Sequence, residues 1–271
     1  MGAGIAQVCA TAGISVTVCD PSPEAVKRAQ KQIDADLKSG VEAKRITREQ
    51  EQETRSRIRY VSGVGECGEA DLVIEAVFER LDIKQELFMR LDAQLAPPAV
   101  LATNTSSLSV TSIAAKARFS DRVCGLHFFN PPTRMKLVEV VAAKQTAPEV
   151  IERCASFVRE IGKEPALVQD TPGFVVNRCA RPFYGEALRC LGERIADVMT
   201  IDQILREGGG FKMGAFELID LIGVDINYAA TRSIWEGYFH EPRFAPHILQ
   251  KKMVEAGRLG RKSGRGFYSY A

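Results

Sequence analysis

A histidine and a glutamate twelve residues apart, His127 and Glu139, have the residue types and spacing that could do chemistry in this sequence. His127 is one of three histidines, and Glu139 lies inside the apolar run 137–141. A carboxylate in a buried strand is costly unless another group pairs with it, and a carboxylate paired with a histidine fixes the tautomer and orientation of the ring. We therefore predict that the two residues form a general base. The alternative is a structural histidine in the core and a glutamate that faces solvent on an edge strand.

The segment between these two residues contains Asn130, Pro131 and Pro132, a combination typical of a turn. A turn at this point lets the chain leave along one strand, reverse its direction and return along another. The sequence therefore predicts that Glu139 comes back toward His127.

Length and composition indicate a globular protein of one large or two ordinary domains. The chain has 271 residues, of which 45% are hydrophobic and 26% are charged, with a formal net charge of +2. Because acidic residues are interspersed among the basic ones, we expect no binding of nucleic acid. No apolar run reaches about 18 residues and no secretory signal is visible, so we expect no membrane partner.

The seven cysteines are widely spaced, and no Cys-x-x-Cys pair occurs. An odd number of isolated thiols is typical of a reducing compartment and argues against a disulfide framework or a zinc site. We therefore expect a cytoplasmic protein without a metal site.

The N-terminal sequence predicts the later part of a dinucleotide-binding β-α-β unit. Residues 1–10 have small side chains at helical spacing, Ala12-Gly13 ends the helix, and an apolar strand leads into Asp20. Asp20 follows Gly2 by eighteen residues, a spacing that suits a carboxylate bound to an adenosine ribose. No arginine adjoins Asp20 to accept a 2′-phosphate, which favours NAD over NADP.

A strand and a Gly-x-Gly loop normally open such a unit, and neither precedes Met1 in this sequence. We interpret Gly2 as the last glycine of that loop and Met1 as an internal residue of it. The expected Rossmann-type sheet therefore lacks its first strand in this chain. The alternative is that Gly2, Ala3 and Gly4 form a flexible terminus.

Strands and helices alternate between residues 58 and 169, which predicts a doubly wound, mainly parallel α/β sheet. Two charged helices within about residues 22–59, separated by a break at Ser39-Gly40, predict a projecting arm. After residue 170 the patterns are helical only. We therefore place an NAD-binding domain at residues 1–170 and a smaller all-α domain at residues 171–271, whose apolar helix near 215–224 suits self-association or its own core.

Six sequence blocks occur in order from the first residue to nearly the last: MGAGIAQ (1–7), NTSSL (104–108), GLHFFNP (125–131), DTPGFVVNR (170–178), MGAFEL (213–218) and GRKSGRGFY (260–268). Together they resemble the short-chain L-3-hydroxyacyl-CoA dehydrogenases, also called 3-hydroxybutyryl-CoA dehydrogenases. Residues 181–187 and the last block look most like the dehydrogenases of bacterial phenylacetate breakdown.

The resemblance implies reversible, NAD-dependent oxidation of an (S)-3-hydroxyacyl-CoA to a 3-oxoacyl-CoA by a homodimer that associates through the C-terminal domain. It implies these catalytic roles: His127 as general base, Glu139 as the residue that orients and polarises it, Ser106 as a hydrogen-bond partner of the substrate oxygen, Asn177 at the substrate, and Asn130 as a support of the histidine region.

The resemblance also implies contacts with NAD and with the acyl-CoA substrate. The implied cofactor-binding residues are Gly2, Asp20, Glu79, Lys84, Asn104, Ser106 and Lys262. A helical arm like residues 22–59 contacts coenzyme A in relatives, which suggests Lys44 as a substrate-binding residue beside Ser106 and Asn177. The arm departs from some relatives at Asp36, where they have a serine.

Two other functions are compatible with such a sequence. One is a dehydrogenase of related architecture that acts on a free 3-hydroxy acid, although such enzymes generally rely on a catalytic lysine. The other is a non-catalytic, NAD-binding relative that has kept the fold.

Overall fold

Strands and helices alternate through the first unit of the computed structural model, which describes residues 1–270; this unit spans Met1–Asp170. Its strands are β1 (Val16–Cys19), β2 (Ile58–Val61), β3 (Leu72–Glu75), β4 (Val100–Thr103), β5 (Val123–Phe128), β6 (Leu137–Ala142) and β7 (Glu164–Gln169). Its helices are α1 (Gly2–Thr11), α2 (Pro23–Glu42), α3 (Arg48–Ser56), α4 (Leu81–Gln94), α5 (Val110–Ala114) and α6 (Pro148–Glu160).

The main sheet has the strand order β3-β4-β5-β6-β7, while β1 and β2 pair in parallel as a separate sheet. Within the main sheet the pairs β3–β4, β4–β5 and β6–β7 are parallel, and β5–β6 is antiparallel. The predicted fold class, a mainly parallel α/β sheet of the Rossmann type with helices following, is confirmed. The antiparallel pair is the place where the chain reverses between His127 and Glu139.

Helices cover the main sheet on both faces, as the alternation of side chains along β4 shows. Val100 and Ala102 belong to a core cluster with residues of β5, β6 and α6. Leu101, which lies between them, belongs to a second cluster with Phe88 of α4 and Ile113 of α5. Since successive strand residues point to opposite faces, the central strands β4, β5 and β6 are buried on both sides, and this explains their near-continuous apolar runs.

The helical arm is built from α2 and α3, each of which begins at a side-chain cap. The Ser22 hydroxyl accepts a hydrogen bond from the Ala25 amide at the start of α2. At the start of α3, Thr47 and Gln50 form a reciprocal capping box. These local signals are readable in the sequence because they depend only on neighbouring residues.

The predicted break of the first arm helix at Ser39-Gly40 is wrong, because α2 continues to Glu42. Gly40 is buried inside this helix, where an added Cβ would lie 3.2 Å from the Ile46 side chain. The glycine therefore makes room for Ile46 to pack against the helix. A glycine inside a helix costs about 1 kcal/mol relative to alanine, and tertiary packing offsets that cost here.

The second unit begins at Thr171 and consists mainly of helices. They are α7 (Val176–Gly192), α8 (Val198–Glu207), α9 (Ala215–Ile222), α10 (Val224–Gly237) and α11 (Ile248–Glu255). Two buried carboxylates organise it. Asp202 accepts hydrogen bonds from the Phe216 and Glu217 amides at the start of α9. Asp220 accepts them from the Phe267 and Tyr268 amides, which ties the C-terminal glycine-rich segment to α9.

The apolar residues of α9 divide between the core and the surface. Phe216 and Ile219 are fully buried, whereas Leu221 is 50% exposed and Ile222 is 37% exposed. Self-association through this helix stays a prediction, with Leu221 and Ile222 as the residues available for it. No helix among residues 1–270 is both long enough and apolar enough to cross a membrane.

Candidate active site

The structure places His127 directly opposite Glu139 on the antiparallel strands β5 and β6. The distance from His127 Nδ1 to Glu139 Oε2 is 2.7 Å, and both side chains are buried, with Glu139 fully enclosed. An ionised Glu139 carboxylate only accepts hydrogen bonds, so it requires the ring tautomer that carries its proton on Nδ1. The contact therefore fixes the orientation and the tautomer of the His127 ring.

The turn between the two strands is held from two sides. The Lys163 ammonium, just before β7, donates hydrogen bonds of 2.6 Å to the carbonyl oxygens of Pro132 and of Met135. On the other side Gly4 of α1 packs so closely that an added Cβ would lie 2.6 Å from Pro132 Cγ. These contacts fix the path of the chain from β5 to β6.

Asn130 lies on this turn, exposed, with a cis peptide bond to Pro131. Its side chain makes no hydrogen bond with the rest of residues 1–270. The ring of Phe129 contacts the histidine, with its centroid 4.6 Å from that of His127. The supporting role predicted for Asn130 remains a prediction.

The loop after β4 lies beside the end of β5 because Asn104 joins them. The Asn104 side-chain oxygen accepts a 2.8 Å hydrogen bond from the backbone amide of Phe128, the residue after His127. Ser106, two residues further along the loop, is exposed and presents its hydroxyl to solvent. The loop that carries Ser106 is therefore tied to the strand that carries the predicted base.

Glu79 holds the same loop through hydrogen bonds. Its Oε1 accepts hydrogen bonds from the Thr105 hydroxyl at 2.5 Å and from the amides of Ser106 and Ser107 at 3.0 Å each. Partial burial raises the pKa of Glu79, but these hydrogen bonds and the charge of Lys84 outweigh it, so the pKa lies below its usual range. Glu79 therefore holds the loop as an anion.

Lys84 is buried between two carboxylates. Its Nζ lies 2.6 Å from Glu75 Oε1 and 3.3 Å from Glu79 Oε2. Glu75 ends β3, is fully enclosed, and also accepts a 2.7 Å hydrogen bond from the Thr103 hydroxyl at the end of β4. This network connects the ends of two neighbouring parallel strands to the loop that carries Ser106.

We expect Lys84→Met to lower the free energy of unfolding by about 3–5 kcal/mol, because it leaves the Glu75 carboxylate buried without a cation. Urea denaturation followed by circular dichroism measures the loss. The double variant Lys84→Met with Glu75→Gln is the control. It should recover a large part of the stability because it removes the unpaired, buried charge of Glu75. A single variant within about 1 kcal/mol of the wild type would contradict this account of the network.

Two of the residues predicted to hold the dinucleotide, Asp20 and Gly2, have polar groups available for it. Asp20 directly follows β1, and its Oδ1 accepts a 2.9 Å hydrogen bond from the Ser22 amide. Its other oxygen makes no hydrogen bond within residues 1–270, which leaves an acceptor for a ribose hydroxyl. Gly2 begins α1, which has no side-chain cap and no acidic residue in its first turn, so its first amides and its positive dipole are available to a pyrophosphate.

One further predicted residue, Lys44, belongs to the arm, and two others, Asn177 and Lys262, belong to the second unit. Lys44 is exposed in the connection between α2 and α3, with φ of 54°. Asn177 is in the first turn of α7 in the second unit, half-buried. Lys262, also in the second unit, pairs with Asp225 at 2.6 Å, and this interaction holds the pKa of Asp225 low against the opposing effect of its partial burial.

Sequence reasoning did not find Glu75 or Lys163 as parts of the site. Glu75 carried a usable signal, because a carboxylate at the end of a buried strand needs a cation and Lys84 follows nine residues later. The sequence holds no such signal for Lys163, since its ammonium donates hydrogen bonds to backbone carbonyl oxygens about thirty residues away.

A Rossmann-type sheet followed by a helical unit defines the architecture of a two-domain, nicotinamide-dependent dehydrogenase. Residues 1–171 match the family model described as "3-hydroxyacyl-CoA dehydrogenase, NAD binding domain", and residues 173–270 match the model of the C-terminal domain of the same family. The chain belongs to the 3-hydroxyacyl-CoA dehydrogenase family, and NAD is the cofactor that this family domain binds.

Curated relatives match the chain over its whole length. The chain is 47% identical to "3-hydroxyadipyl-CoA dehydrogenase" of Escherichia coli, covering 100% of this chain and 57% of that protein. It is 38% identical to the mitochondrial hydroxyacyl-coenzyme A dehydrogenase of Sus scrofa, covering 100% of this chain and 88% of that one. The chain thus spans just over half the length of the bacterial relative.

Solved structures agree with the fold. The crystal structure of an Escherichia coli 3-hydroxybutyryl-CoA dehydrogenase matches with a TM-score of 0.98 at 47% identity, over 100% of this chain and 57% of that one. The (S)-3-hydroxybutyryl-CoA dehydrogenase of Ralstonia eutropha matches with a TM-score of 0.96 at 35% identity, over 100% of this chain and 95% of that one.

Proposed function

We propose that the protein catalyses the reversible, NAD-dependent oxidation of an (S)-3-hydroxyacyl-CoA to a 3-oxoacyl-CoA. The observation that carries this proposal is the buried 2.7 Å contact between His127 and Glu139 in a chain of this family. The names of several relatives, which are dehydrogenases of 3-hydroxyacyl-CoA esters, support the substrate class.

His127 is the general base of this reaction. Its Nε2 removes the proton of the C3 hydroxyl, and the fixed Glu139 carboxylate stabilises the imidazolium cation that results. A positioned base of this kind contributes about 10²–10⁴-fold to the rate. In the reverse direction the protonated ring returns its proton to the C3 oxygen.

Ser106 and Asn177 are assigned as the groups that bind the substrate oxygens, and Asn130 as a support of the histidine region. NAD, when bound, accepts the hydride from C3. The residues assigned to hold it are Gly2, Asp20, Glu79, Lys84, Asn104, Ser106 and Lys262. Glu79 and Lys84 act by keeping the 104–107 loop ordered, since Glu79 accepts hydrogen bonds from the amides of Ser106 and Ser107.

The proposal has further parts. Lys44 of the arm offers an exposed cation to coenzyme A. All seven cysteines are free thiols, which supports a cytoplasmic protein, and the exposed Leu221 and Ile222 support a homodimer formed through the second unit. The sequence of residues 181–187 supports a role in phenylacetate breakdown.

NADH formation at 340 nm tests the reaction directly. We expect (S)-3-hydroxybutyryl-CoA to be oxidised with a kcat/KM at least about 100-fold above that of its (R) isomer or of free 3-hydroxybutyrate, because the base is fixed on one side of the carbon and the thioester supplies binding energy. NADH binding, followed by the fluorescence of the cofactor, accompanies the assay as a control.

The rival functions give other results in the same experiment. Oxidation of the free acid in preference to the thioester would identify a free 3-hydroxyacid dehydrogenase. NADH binding without turnover of any thioester would identify a non-catalytic relative. Either result overturns the proposal.

A further inference from the structure

A cavity of about 540 Å³ opens on the first unit, away from the residues assigned to catalysis and to NAD. One wall is the end of α4 with the segment that leads into β4, and the other wall is the segment between α5 and β5. The cavity therefore lies at the amino ends of β4 and β5, whereas Asn104 and His127 lie at or near their carboxyl ends. Its volume is in the range of small-molecule sites, of about 300–1,000 Å³.

A buried ion pair forms the floor of this cavity. Asp92 lines the cavity, and its Oδ1 accepts hydrogen bonds from Arg122 Nε at 3.1 Å and from Arg122 Nη2 at 2.8 Å. Its Oδ2 accepts hydrogen bonds from the backbone amides of Arg118 at 2.6 Å and of Phe119 at 3.2 Å, which joins the two walls. Both Asp92 and Arg122 are buried. The negative charge of Asp92 is therefore compensated from within the fold.

Two exposed cations, Lys116 and Arg118, line the same cavity. Within residues 1–270 neither side chain forms an ion pair or a hydrogen bond. Asp92 is the single acidic residue of the described lining, and Arg122 already compensates it. The accessible charge of the cavity is therefore positive, which is complementary to an anionic ligand.

The apolar part of the lining is mostly aliphatic and consists of Met89, Ala93, Leu95, Ala96 and Pro97. Met89 is 47% exposed, so the cavity offers apolar surface to a ligand. The one aromatic ring of the lining, that of Phe119, already has the guanidinium of Arg118 5.1 Å and that of Arg122 5.4 Å from its centroid. These contacts disfavour a stacked nucleotide base and favour an alkyl chain.

We propose that this cavity binds the anion of a fatty acid, with the carboxylate at Lys116 and Arg118 and the alkyl chain along Met89 and Pro97. The inference goes beyond the proposed function and does not depend on it, because no lining residue is assigned to catalysis, to NAD or to coenzyme A. The ligand is a free aliphatic carboxylate, the kind of product that hydrolysis of an acyl thioester releases.

Two methionines report where such a ligand binds, because Met89 lines the cavity and Met135 lies on the turn between β5 and β6. The protein is labelled with methyl-¹³C methionine, and octanoate is titrated in while the methyl signals are followed by NMR. We expect a saturable shift of the Met89 signal, with an affinity that saturating NADH changes by less than about 2-fold. The absence of a saturable shift at Met89, or competition with NADH, overturns the proposal.

Three other compounds separate the two parts of the ligand on the wild-type protein. 1-Octanol has the chain without the charge, and acetate has the charge without the chain. Octanoate should bind at Met89 at least about 5-fold more tightly than either, since both the two cations and the apolar wall contribute. Equal affinity for octanoate and 1-octanol overturns the role of the cations. Tighter binding of AMP than of octanoate identifies a nucleotide site and also overturns the proposal.

The double variant Lys116→Gln with Arg118→Gln removes both cations. Its affinity for octanoate should fall at least about 5-fold, to that for 1-octanol, while the affinity for 1-octanol changes by less than about 2-fold. An unchanged affinity for octanoate, or equal losses with both compounds, rejects the charged site. Arg90→Gln is the matched control, because Arg90 is exposed beside Met89 without lining the cavity, and it should bind octanoate like the wild type. If the double variant does not fold, Lys116→Gln alone and the wild-type comparison still decide the question.

Discussion

Replacing His127 with glutamine should lower kcat for (S)-3-hydroxybutyryl-CoA by about 10³–10⁴-fold and leave NADH affinity nearly unchanged. Glutamine is similar in size and still forms hydrogen bonds, but no atom of its side chain accepts a proton at neutral pH. The C3 hydroxyl then loses its proton to water alone. The dinucleotide is assigned to other residues, of which Asp20 directly follows β1 and Gly2 begins α1, so its binding should survive.

Stopped-flow and steady-state assays of NADH formation measure the loss, and fluorescence titration measures the affinity for NADH. His240→Gln is the matched control, because His240 is exposed just after α10 in the second unit, with its ring centroid 4.3 Å from that of Trp235. This control should keep wild-type turnover. Turnover of His127→Gln within about tenfold of the wild type would remove His127 from the role of base.

The predictable part of this site depends on local chemistry. Turn residues at 130–132 and an apolar run after them were enough to predict a reversal of the chain. The pairing register was beyond such reasoning, because a slip of one residue would move Glu139 to the opposite face of the sheet. The strand Leu137–Ala142 is apolar on both faces and therefore does not specify its own register. Lys163 and Gly4 hold the turn between β5 and β6, and this turn specifies the register.

The unpredicted parts depend on contacts that form only when the chain folds. The sequence predicts a helix break at Ser39-Gly40 because glycine is a poor helix former, and the deciding contact of Gly40 with Ile46 comes from the chain after the helix. Glu75 and Lys84 form an ion pair because the end of β3 and the first turn of α4 lie next to each other in the fold. The cavity beside α4 is visible only in the fold, because its two walls come from separate segments of the chain.

Replacing Glu139 with glutamine should lower kcat by about 10²–10³-fold, with a smaller effect on KM. The amide keeps the shape of the carboxylate, but it carries no charge to stabilise the imidazolium. Its NH2 group also favours the ring tautomer with the proton on Nε2, the nitrogen that must accept the substrate proton. Glu164→Gln, an exposed position at the start of the adjacent strand β7, is the matched control and should leave kcat unchanged.

The double variant of His127→Gln and Glu139→Gln shows whether the two residues act as one unit. If Glu139 works only through the ring of His127, the double variant is no slower than His127→Gln alone, because residues that act together have non-additive effects. Independent roles would instead multiply the two losses and add at least a further 100-fold or so. The second outcome would mean that Glu139 itself contacts the reacting groups. It would reject the pair as a single general base. The buried 2.7 Å contact between Nδ1 and Oε2 favours the first.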